Sequence, residues 1–330
     1  MRITICILSG IVIAVMTAWC AGAIYFMPLP GGQVLWGVFA VIFTASTLLA
    51  FILLPRRGRT LIGFLAAFTV FVLFWLNISA SNDREWQPDV AVLASATMDS
   101  DIVKVHNIRN CDYRSETDYT PVYYDKSFDL NKLEGVDLVA VYWMGPNFAH
   151  IFVSFAFAGG EHLAISIETR KEMGENYSTI KGFFRQYELY YVVADERDLI
   201  RLRTNYRRDP PENVYLFRLH SSIENCRRLF IEYIKKINSL NTSPEFYNTL
   251  TTNCTTNIWF HSLVNPEHLP FSWKILASGH VPEYFYEAGW LDNSMPFNEL
   301  KRLSLVNARA RSTDQNSDFS KKIREGLPGF

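Results

Sequence analysis

A single cysteine, Cys254, lies in a stretch rich in asparagine and threonine that runs from Asn248 to Asn257. An apolar run follows from Ile258 onward, which indicates that the stretch delivers the cysteine to the first turn of a helix. Unpaired backbone N–H groups at a helix N-terminus stabilise anions, so a thiol in that place tends towards the thiolate. The sequence therefore predicts a nucleophilic cysteine at residue 254.

A cysteine nucleophile needs a base to take its proton, and the base needs a polar group that orients it. Apolar segments on either side of a turn at residues 158–160 predict a β-hairpin. When Val153 is placed opposite Ile165, apolar side chains meet along one face of the hairpin. The same register places His150 opposite Glu168 on the other face, where the carboxylate could fix the imidazole tautomer and raise its pKa.

Further polar residues are candidates for supporting roles. Asn253 and the N–H groups of the following helix could hold a developing oxyanion. Tyr177 and Tyr247 could line a cleft or simply pack. Arg170 and Arg203 could anchor a lipid phosphate or carboxylate, although a structural ion pair explains them at least as well. The other histidines show no metal-ligand spacing, so neither a metal nor a cofactor is expected.

The first eighty residues are predicted to lie in a membrane. Residues 3–27, 33–54 and 60–80 carry no charge, and each segment is about long enough to cross a ~30 Å hydrocarbon core as a helix. The arginines of the second turn, at 56–59, favour the cytoplasmic side, so three spans place residues 82–330 on the outer face. A cleaved signal peptide is the alternative, but two further spans follow immediately.

Charge is nearly balanced over the chain, with 32 Lys and Arg residues against 33 Asp and Glu residues. The only charged residues among the first eighty are four arginines, so the remainder of the chain is mildly acidic. Phosphate binding needs a concentrated basic face, and a nucleic-acid partner is therefore not expected.

The predicted outer part contains three cysteines, Cys111, Cys226 and Cys254. In an oxidising compartment an odd number leaves at least one thiol unpaired, unless it bridges two chains. Cys226 falls on the apolar stripe of an amphipathic helix predicted over residues 221–240. Cys111 could lie in the core or pair with Cys226, and the sequence leaves both possibilities open.

The order of these motifs resembles a known family. A histidine strand at 149–155, a segment at 166–170, a further segment at 187–203 and the cysteine motif at 247–255 follow one another. This order is similar to that in the periplasmic domain of the Lnb-type lipoprotein N-acyltransferases. That domain in turn resembles circularly permuted papain-like (NlpC-type) thiol enzymes, in which the histidine strand precedes the cysteine helix.

The resemblance implies an α+β fold, in which a permuted papain-like antiparallel sheet and a cysteine-bearing helix follow three transmembrane helices. It implies that Cys254 is the nucleophile, His150 the base and Glu168 the third polar residue. We therefore predict a three-span transmembrane region over residues 1–81 and an extracytoplasmic catalytic domain over residues 82–330. The polar C-terminal end, from about residue 309 onward, is expected to be mobile.

The leading functional hypothesis is a cysteine acyltransferase in the bacterial inner membrane, with its C-terminal domain in the periplasm. It would move an acyl chain from a membrane phospholipid to an amine, such as a lipoprotein N-terminus, through an acyl-Cys254 intermediate. One alternative keeps the site but makes the protein a cysteine hydrolase, a peptidase or amidase acting on peptidoglycan peptides. A second alternative is a non-enzymatic, membrane-anchored binding module.

Overall fold

The computed structural model describes residues 2–314 and 316–330 of the chain. The chain divides into two compact units. The first, called here the membrane unit, consists of Met1–Ser81, Asn176–Glu188 and Glu245–Thr249. The second, called here the sheet unit, consists of Asn82–Glu175, Leu189–Pro244 and Leu250–Phe330.

The membrane unit contains three long helices, α1 (Arg2–Tyr25), α2 (Gly32–Leu53) and α3 (Arg57–Leu76). All three are long and apolar enough to cross a membrane, which confirms the three apolar segments expected from the sequence. Many of their apolar side chains are exposed. Aromatic side chains hold α1 to α3, with the rings of Trp19 and Trp75 edge to face at 5.2 Å between centroids.

A loop of the membrane unit packs on these helices. The ring of Phe184 stacks on Phe26 at 5.5 Å between centroids. The Arg185 guanidinium donates hydrogen bonds to the carbonyl oxygens of Trp75, Leu76 and Ile78. A cation at this position satisfies carbonyl groups that the end of α3 leaves without helical partners.

The sheet unit is built on a mixed sheet. Its strands and those beside it are β1 (Ser95–Asp99), β2 (Ile102–Arg109), β3 (Asp112–Tyr113), β4 (Tyr119–Thr120), β5 (Tyr123–Asp129), β6 (Leu133–Tyr142), β7 (His150–Phe157), β8 (Glu161–Arg170), β9 (Glu188–Ala194) and β10 (Asn213–Arg218). The order is β1-β2-β9-β8-β7-β6-β10, with β5 also paired to β2 and with β3 and β4 forming a separate pair.

The sheet is not purely antiparallel, so that part of the expected fold was wrong. Strand β2 pairs in parallel with β9 through Arg109 and Ala194. The chain leaves β2, completes the hairpins of β5 to β8 and returns as β9 in the same direction as β2. Such a long-range return does not follow from local alternation of apolar and polar residues, which specifies hairpins only.

The hairpin of β7 and β8 has the predicted register. Val153 pairs with Ile165, Phe155 with Leu163, and the last pair before the turn at residues 158–160 is Phe157 with Glu161. Gly159 and Gly160 both have positive φ angles, which a three-residue turn with this geometry requires. The apolar alternation therefore determined the register as expected, because a slip of one residue would bury polar side chains.

The helices of the sheet unit are α4 (Glu196–Arg201), α5 (Ile223–Thr242), α6 (Cys254–Ser262), α7 (Trp273–Leu276), α8 (Val281–Glu287), α9 (Phe297–Leu303), α10 (Asn307–Ser312) and α11 (Phe319–Lys322). The predicted amphipathic helix corresponds to α5, and Ser222 caps it by accepting from Asn225 N. Its apolar face covers the β7–β8 hairpin, where Phe230 contacts Phe155 edge to face at 4.9 Å.

The C-terminal end is packed, contrary to the expected mobility. Phe319, Ile323 and Leu327 are buried in the core of the sheet unit. Between them, the Arg324 guanidinium donates to the buried carboxylates of Asp137 and Glu196. The segment is mostly polar, so its composition does not show that Phe319, Ile323, Arg324 and Leu327 face inward. Burial of these four side chains fixes the end of the chain.

Candidate active site

Cys254 is the first residue of α6 and is half-buried. The preceding residue, Asn253, caps the helix, because its side-chain oxygen accepts from Thr256 N at 2.9 Å. The same oxygen also accepts from the hydroxyls of Thr255 and Thr256. The asparagine and threonine residues around the cysteine therefore form the cap, which directs the Cys254 thiol to the N-terminal end of the helix.

Helix α6 is fixed to its neighbours on two sides. The Thr255 hydroxyl donates to Ile275 O at 2.6 Å, which ties the start of α6 to α7. The His261 ring nitrogen Nε2 lies 2.6 Å from the Tyr191 hydroxyl on β9. Burial lowers the pKa of His261 to about 3, so this imidazole is neutral and has a structural role.

His150 is the first residue of β7, and the loop before it is held from another part of the chain. Ala149 N donates to the Ser278 hydroxyl, and Gly279 N donates to Asn147 O at 3.0 Å. A Cβ atom at Gly279 would lie 2.1 Å from Pro146 O, so only glycine allows this approach. The residue that precedes the histidine strand is thereby fixed in position.

The thiol of Cys254 and the imidazole of His150 lie close enough for each to shift the pKa of the other. The sequence predicts a role for each residue but no distance between them, and the structure brings the two side chains together. Glu168 lies beside the same imidazole, with Oε1 at 3.5 Å from His150 Nε2. The three residues selected from the sequence therefore converge at one site.

Ser166 lies between His150 and Glu168. Its hydroxyl oxygen is 2.7 Å from His150 Nε2, and the hydroxyl donates to Glu168 Oε1 at 2.7 Å. Since its single hydrogen is directed to the carboxylate, Ser166 must accept a hydrogen bond from Nε2–H. This fixes the tautomer of the neutral ring and leaves Nδ1 for the Cys254 thiol.

Arg203 holds the carboxylate in place. Its Nη2 donates to Glu168 Oε1 at 2.9 Å, and its side chain is only 4% exposed. It projects from a π-helical turn, Leu202–Tyr206, that continues α4. Burial alone would raise the pKa of Glu168, but the charge of Arg203 and the hydrogen bond with His150 keep it well below its ordinary value.

These contacts favour a charged pair of Cys254 and His150. Burial opposes the charged form of His150, but hydrogen bonds with Cys254 and Glu168 outweigh it and raise the pKa to about 9. Burial likewise raises the pKa of Cys254, while the hydrogen bond and charge of His150 lower it below its ordinary value. N–H groups of Ile151 and Thr255 lower it further. Both shifts favour a thiolate beside an imidazolium over the neutral pair.

The other residues proposed from the sequence lie elsewhere or have different contacts. Arg170 is 2% exposed and donates to the carbonyl oxygens of Val90 and Ala91, so it holds the segment before β1 and does not reach a substrate. Arg203 donates to Glu168. Tyr177 is exposed and Tyr247 is buried, and both belong to the membrane unit.

Ser166 is the site residue that sequence reasoning missed. The predicted register did place it on the same face of the hairpin as His150 and Glu168. A serine two residues before a candidate carboxylate, on the same face of a strand, is the signal that could have identified it. Its role depends on side-chain directions that alternation alone does not give.

We expect the substitution Ser166→Ala to slow the reaction of the Cys254 thiolate by roughly tenfold to a hundredfold, the cost of a hydrogen bond to a charged group. Losing the link to the Glu168 carboxylate should also lower the pKa of His150. The alkaline limb of the pH–rate profile should therefore move to lower pH. The pH profile of the rate measures both effects. Ser166→Thr keeps the hydroxyl and should restore them, whereas a profile unchanged in Ser166→Ala would mean that Glu168 orients His150 directly.

The other described cysteines are free. Cys111 and Cys226 are both buried and form no disulfide, which settles the alternative that the sequence left open. Burial raises the pKa of Cys226, whereas that of Cys254 is lowered. Among Cys20, Cys111, Cys226 and Cys254, only Cys254 combines partial exposure with a base.

One cluster has side chains of the types that bind metals, but it is an ion-pair network. Donor atoms of Asp137, His162 and Glu196 lie within 4.8 Å of one another. The Arg324 guanidinium donates to both carboxylates, and Arg218 donates to Asp137 at 2.5 Å. Two cations already neutralise the two acids, which leaves no excess negative charge for a metal ion.

Comparison with known families identifies the part of the chain that holds this site. Residues 119–279 match the family described as the Lnb N-terminal periplasmic domain. The matched range includes Cys254, His150, Ser166, Glu168 and Arg203. No curated protein and no solved structure matched the chain.

Proposed function

Since this chain carries an Lnb-type periplasmic domain, we propose that it is a membrane-tethered cysteine acyltransferase of the bacterial inner membrane, with the sheet unit in the periplasm. The observation that carries the proposal is the convergence of Cys254, at the start of α6, with His150, Ser166 and Glu168. Strand β7 with the histidine precedes the helix with the cysteine. This order supports a permuted papain-like arrangement of the site.

In the first step, the Cys254 thiolate attacks the ester carbonyl carbon of a membrane phospholipid. A C–S bond forms, and the carbonyl oxygen becomes an oxyanion that N–H groups at the start of α6 stabilise. The ester C–O bond then breaks, and the imidazolium of His150 gives its Nδ1 proton to the leaving alkoxide. The products are a lysophospholipid and an acyl thioester on Cys254.

In the second step, an amine such as a lipoprotein N-terminus attacks the thioester carbon. A C–N bond forms, the C–S bond breaks and Cys254 leaves as the thiolate. The neutral His150 takes the proton that the amine loses, which restores the initial pair. Ser166 and Glu168 keep the imidazole in the orientation needed for both proton transfers.

The surroundings of the cysteine favour a lipid substrate. Phe260 on α6 is 51% exposed, and Trp273 on α7 is 61% exposed. Phe271, which precedes α7, is also exposed, and both it and Phe260 contact the Trp259 ring on the helix that carries Cys254. Exposed aromatic and aliphatic side chains of this kind occur where proteins contact membranes or other apolar partners. Three apolar helices keep the chain at a bilayer, where acyl donors and lipidated acceptors both lie.

The proposal predicts a covalent acyl adduct. The full-length protein, incubated with phospholipid in the absence of an amine acceptor, should gain the mass of one fatty acyl group. Peptide mapping should place that group on Cys254 and not on the buried Cys111 or Cys226. The Cys254→Ala variant should show no adduct and should release no lysophospholipid.

Two other outcomes would overturn the proposal. If no adduct forms with phospholipid but peptidoglycan incubated with the protein releases muropeptides, the site belongs to a cell-wall hydrolase. If neither substrate reacts, and Cys254→Ala and His150→Ala both leave the cellular phenotype intact, the domain acts as a binding module.

A further inference from the structure

An apolar groove lies in the membrane unit between the second half of α2 and the first half of α3. Its volume is about 760 Å³, within the range of about 300–1,000 Å³ found for small-molecule sites. Helix α2 packs closely along α1 but makes few contacts with α3, so the two helices leave a gap where α2 ends and α3 begins. The rings of Phe51 and Phe64, 5.9 Å apart, line the gap.

The groove is open at the surface of the membrane unit. Gly63 lies on its wall, and a Cβ atom added to this residue would meet no described atom within 4 Å. The hydroxyls of Thr47 and Thr60, which also line it, donate to carbonyl oxygens of their own helices. The wall therefore presents mainly carbon to an occupant, which suits an acyl chain.

Two arginines stand where the groove meets the turn between α2 and α3. Arg56 and Arg59 line the groove and are exposed, whereas Arg57 in the same turn does not line it. Residues 1–80 contain no acidic side chain that could neutralise them. A hydrophobic groove that ends in two guanidinium groups is complementary to a molecule with an apolar tail and an anionic head.

We propose that this groove binds an anionic phospholipid, with an acyl chain between α2 and α3 and its phosphate on Arg56 and Arg59. Guanidinium groups bind phosphate oxygens through paired, charge-assisted hydrogen bonds. Basic residues at the membrane surface attract anionic lipids by about 1 kcal/mol each. A second copy of the chain is a poorer occupant, because it would bring its own arginine turn against this one. The proposal does not depend on the proposed reaction of Cys254.

Native mass spectrometry of the full-length protein released from detergent tests the proposal. Phosphatidylglycerol and phosphatidylethanolamine with the same acyl chains are added separately, and the bound fraction of each is compared. We expect the wild-type protein to retain the anionic lipid preferentially. Arg56→Gln and Arg59→Gln should each weaken its binding by about fivefold, which corresponds to about 1 kcal/mol. Arg57→Gln, the matched control in the same turn, should keep the preference.

A second pair of variants tests the apolar part of the site. Gly63→Leu places a side chain into the groove, where space is available, and should reduce retention of both lipids. Gly10→Leu is its control, because Gly10 on α1 also has no described atom within 4 Å of an added Cβ and does not line the groove. Circular dichroism checks that each variant keeps its helices.

The proposal is overturned if the wild-type protein retains both lipids equally. It is also overturned if Arg57→Gln loses the preference as much as Arg56→Gln does. The net charge of the turn, and not a defined binding site, would then attract the anionic lipid. Unchanged lipid retention in Gly63→Leu would exclude the groove as the place of the acyl chain.

Discussion

Replacing His150 with alanine is expected to slow acyl transfer by about a thousandfold, within the range of about 10²–10⁴ for a positioned acid–base group. Two effects combine in this loss. The acid that protonates the leaving group disappears, and the thiol loses the hydrogen bond and charge that lower its pKa. Burial of Cys254, which opposes the thiolate, then acts without compensation. The measurement is the rate of lysophospholipid release in a single turnover.

His268→Ala provides the control for that variant. His268 is exposed and its ring nitrogen Nδ1 lies 3.2 Å from the carbonyl oxygen of Leu269, so its loss should leave the rate unchanged within about twofold. A His150→Ala variant that stays within tenfold of the wild-type rate would show that another group acts as the base.

Replacing Arg324 with methionine is expected to destabilise the sheet unit by about 3–5 kcal/mol. The guanidinium neutralises Asp137 and Glu196, and neither carboxylate is exposed to solvent. Methionine preserves much of the apolar volume but leaves two buried negative charges without this partner. With a slope of about 1–3 kcal/mol per molar urea, the unfolding midpoint should fall by at least about 1 M.

The pH dependence of stability supplies an independent test of the same ion pairs. Burial raises the pKa of Glu196, but Arg324 and its neighbours lower it well below the ordinary value. A lowered carboxyl pKa stabilises the folded state at neutral pH, and this stabilisation is lost as the pH falls through the folded pKa. Arg324→Met should therefore lose stability mainly at neutral pH. Lys321→Met, three residues earlier in the chain but exposed, should behave like the wild type, and an equal loss in both variants would contradict the account.

Patterns among neighbouring residues predicted the hairpin register and the start of the cysteine helix. Alternation of apolar residues determined the β7–β8 register, and this register brought His150 and Glu168 to one face. The asparagine–threonine stretch predicted a helix start at Cys254, where Asn253 now caps α6. These features depend on neighbouring residues or on a short hairpin, so the sequence specifies them directly.

Long-range contacts determined the parts that the sequence did not predict. The parallel pairing of β2 with β9 and the ion pairs of Arg324 join segments far apart in the chain. Arg203 was considered as a ligand for a substrate, because nothing local shows that its turn packs against Glu168. Ser166 could have been found from the register, but its hydrogen bonds depend on rotamers that alternation does not specify.

The alkylation rate of Cys254 as a function of pH tests the central claim most directly, namely that His150 holds this cysteine as a thiolate. In the wild-type protein the rate should rise with pH well below the ordinary pKa of a cysteine, since the His150 imidazolium stabilises the thiolate. In His150→Ala the rise should move above the ordinary value. A wild-type rate that rises only at the ordinary pKa, or a profile that His150→Ala leaves unchanged, would contradict the account.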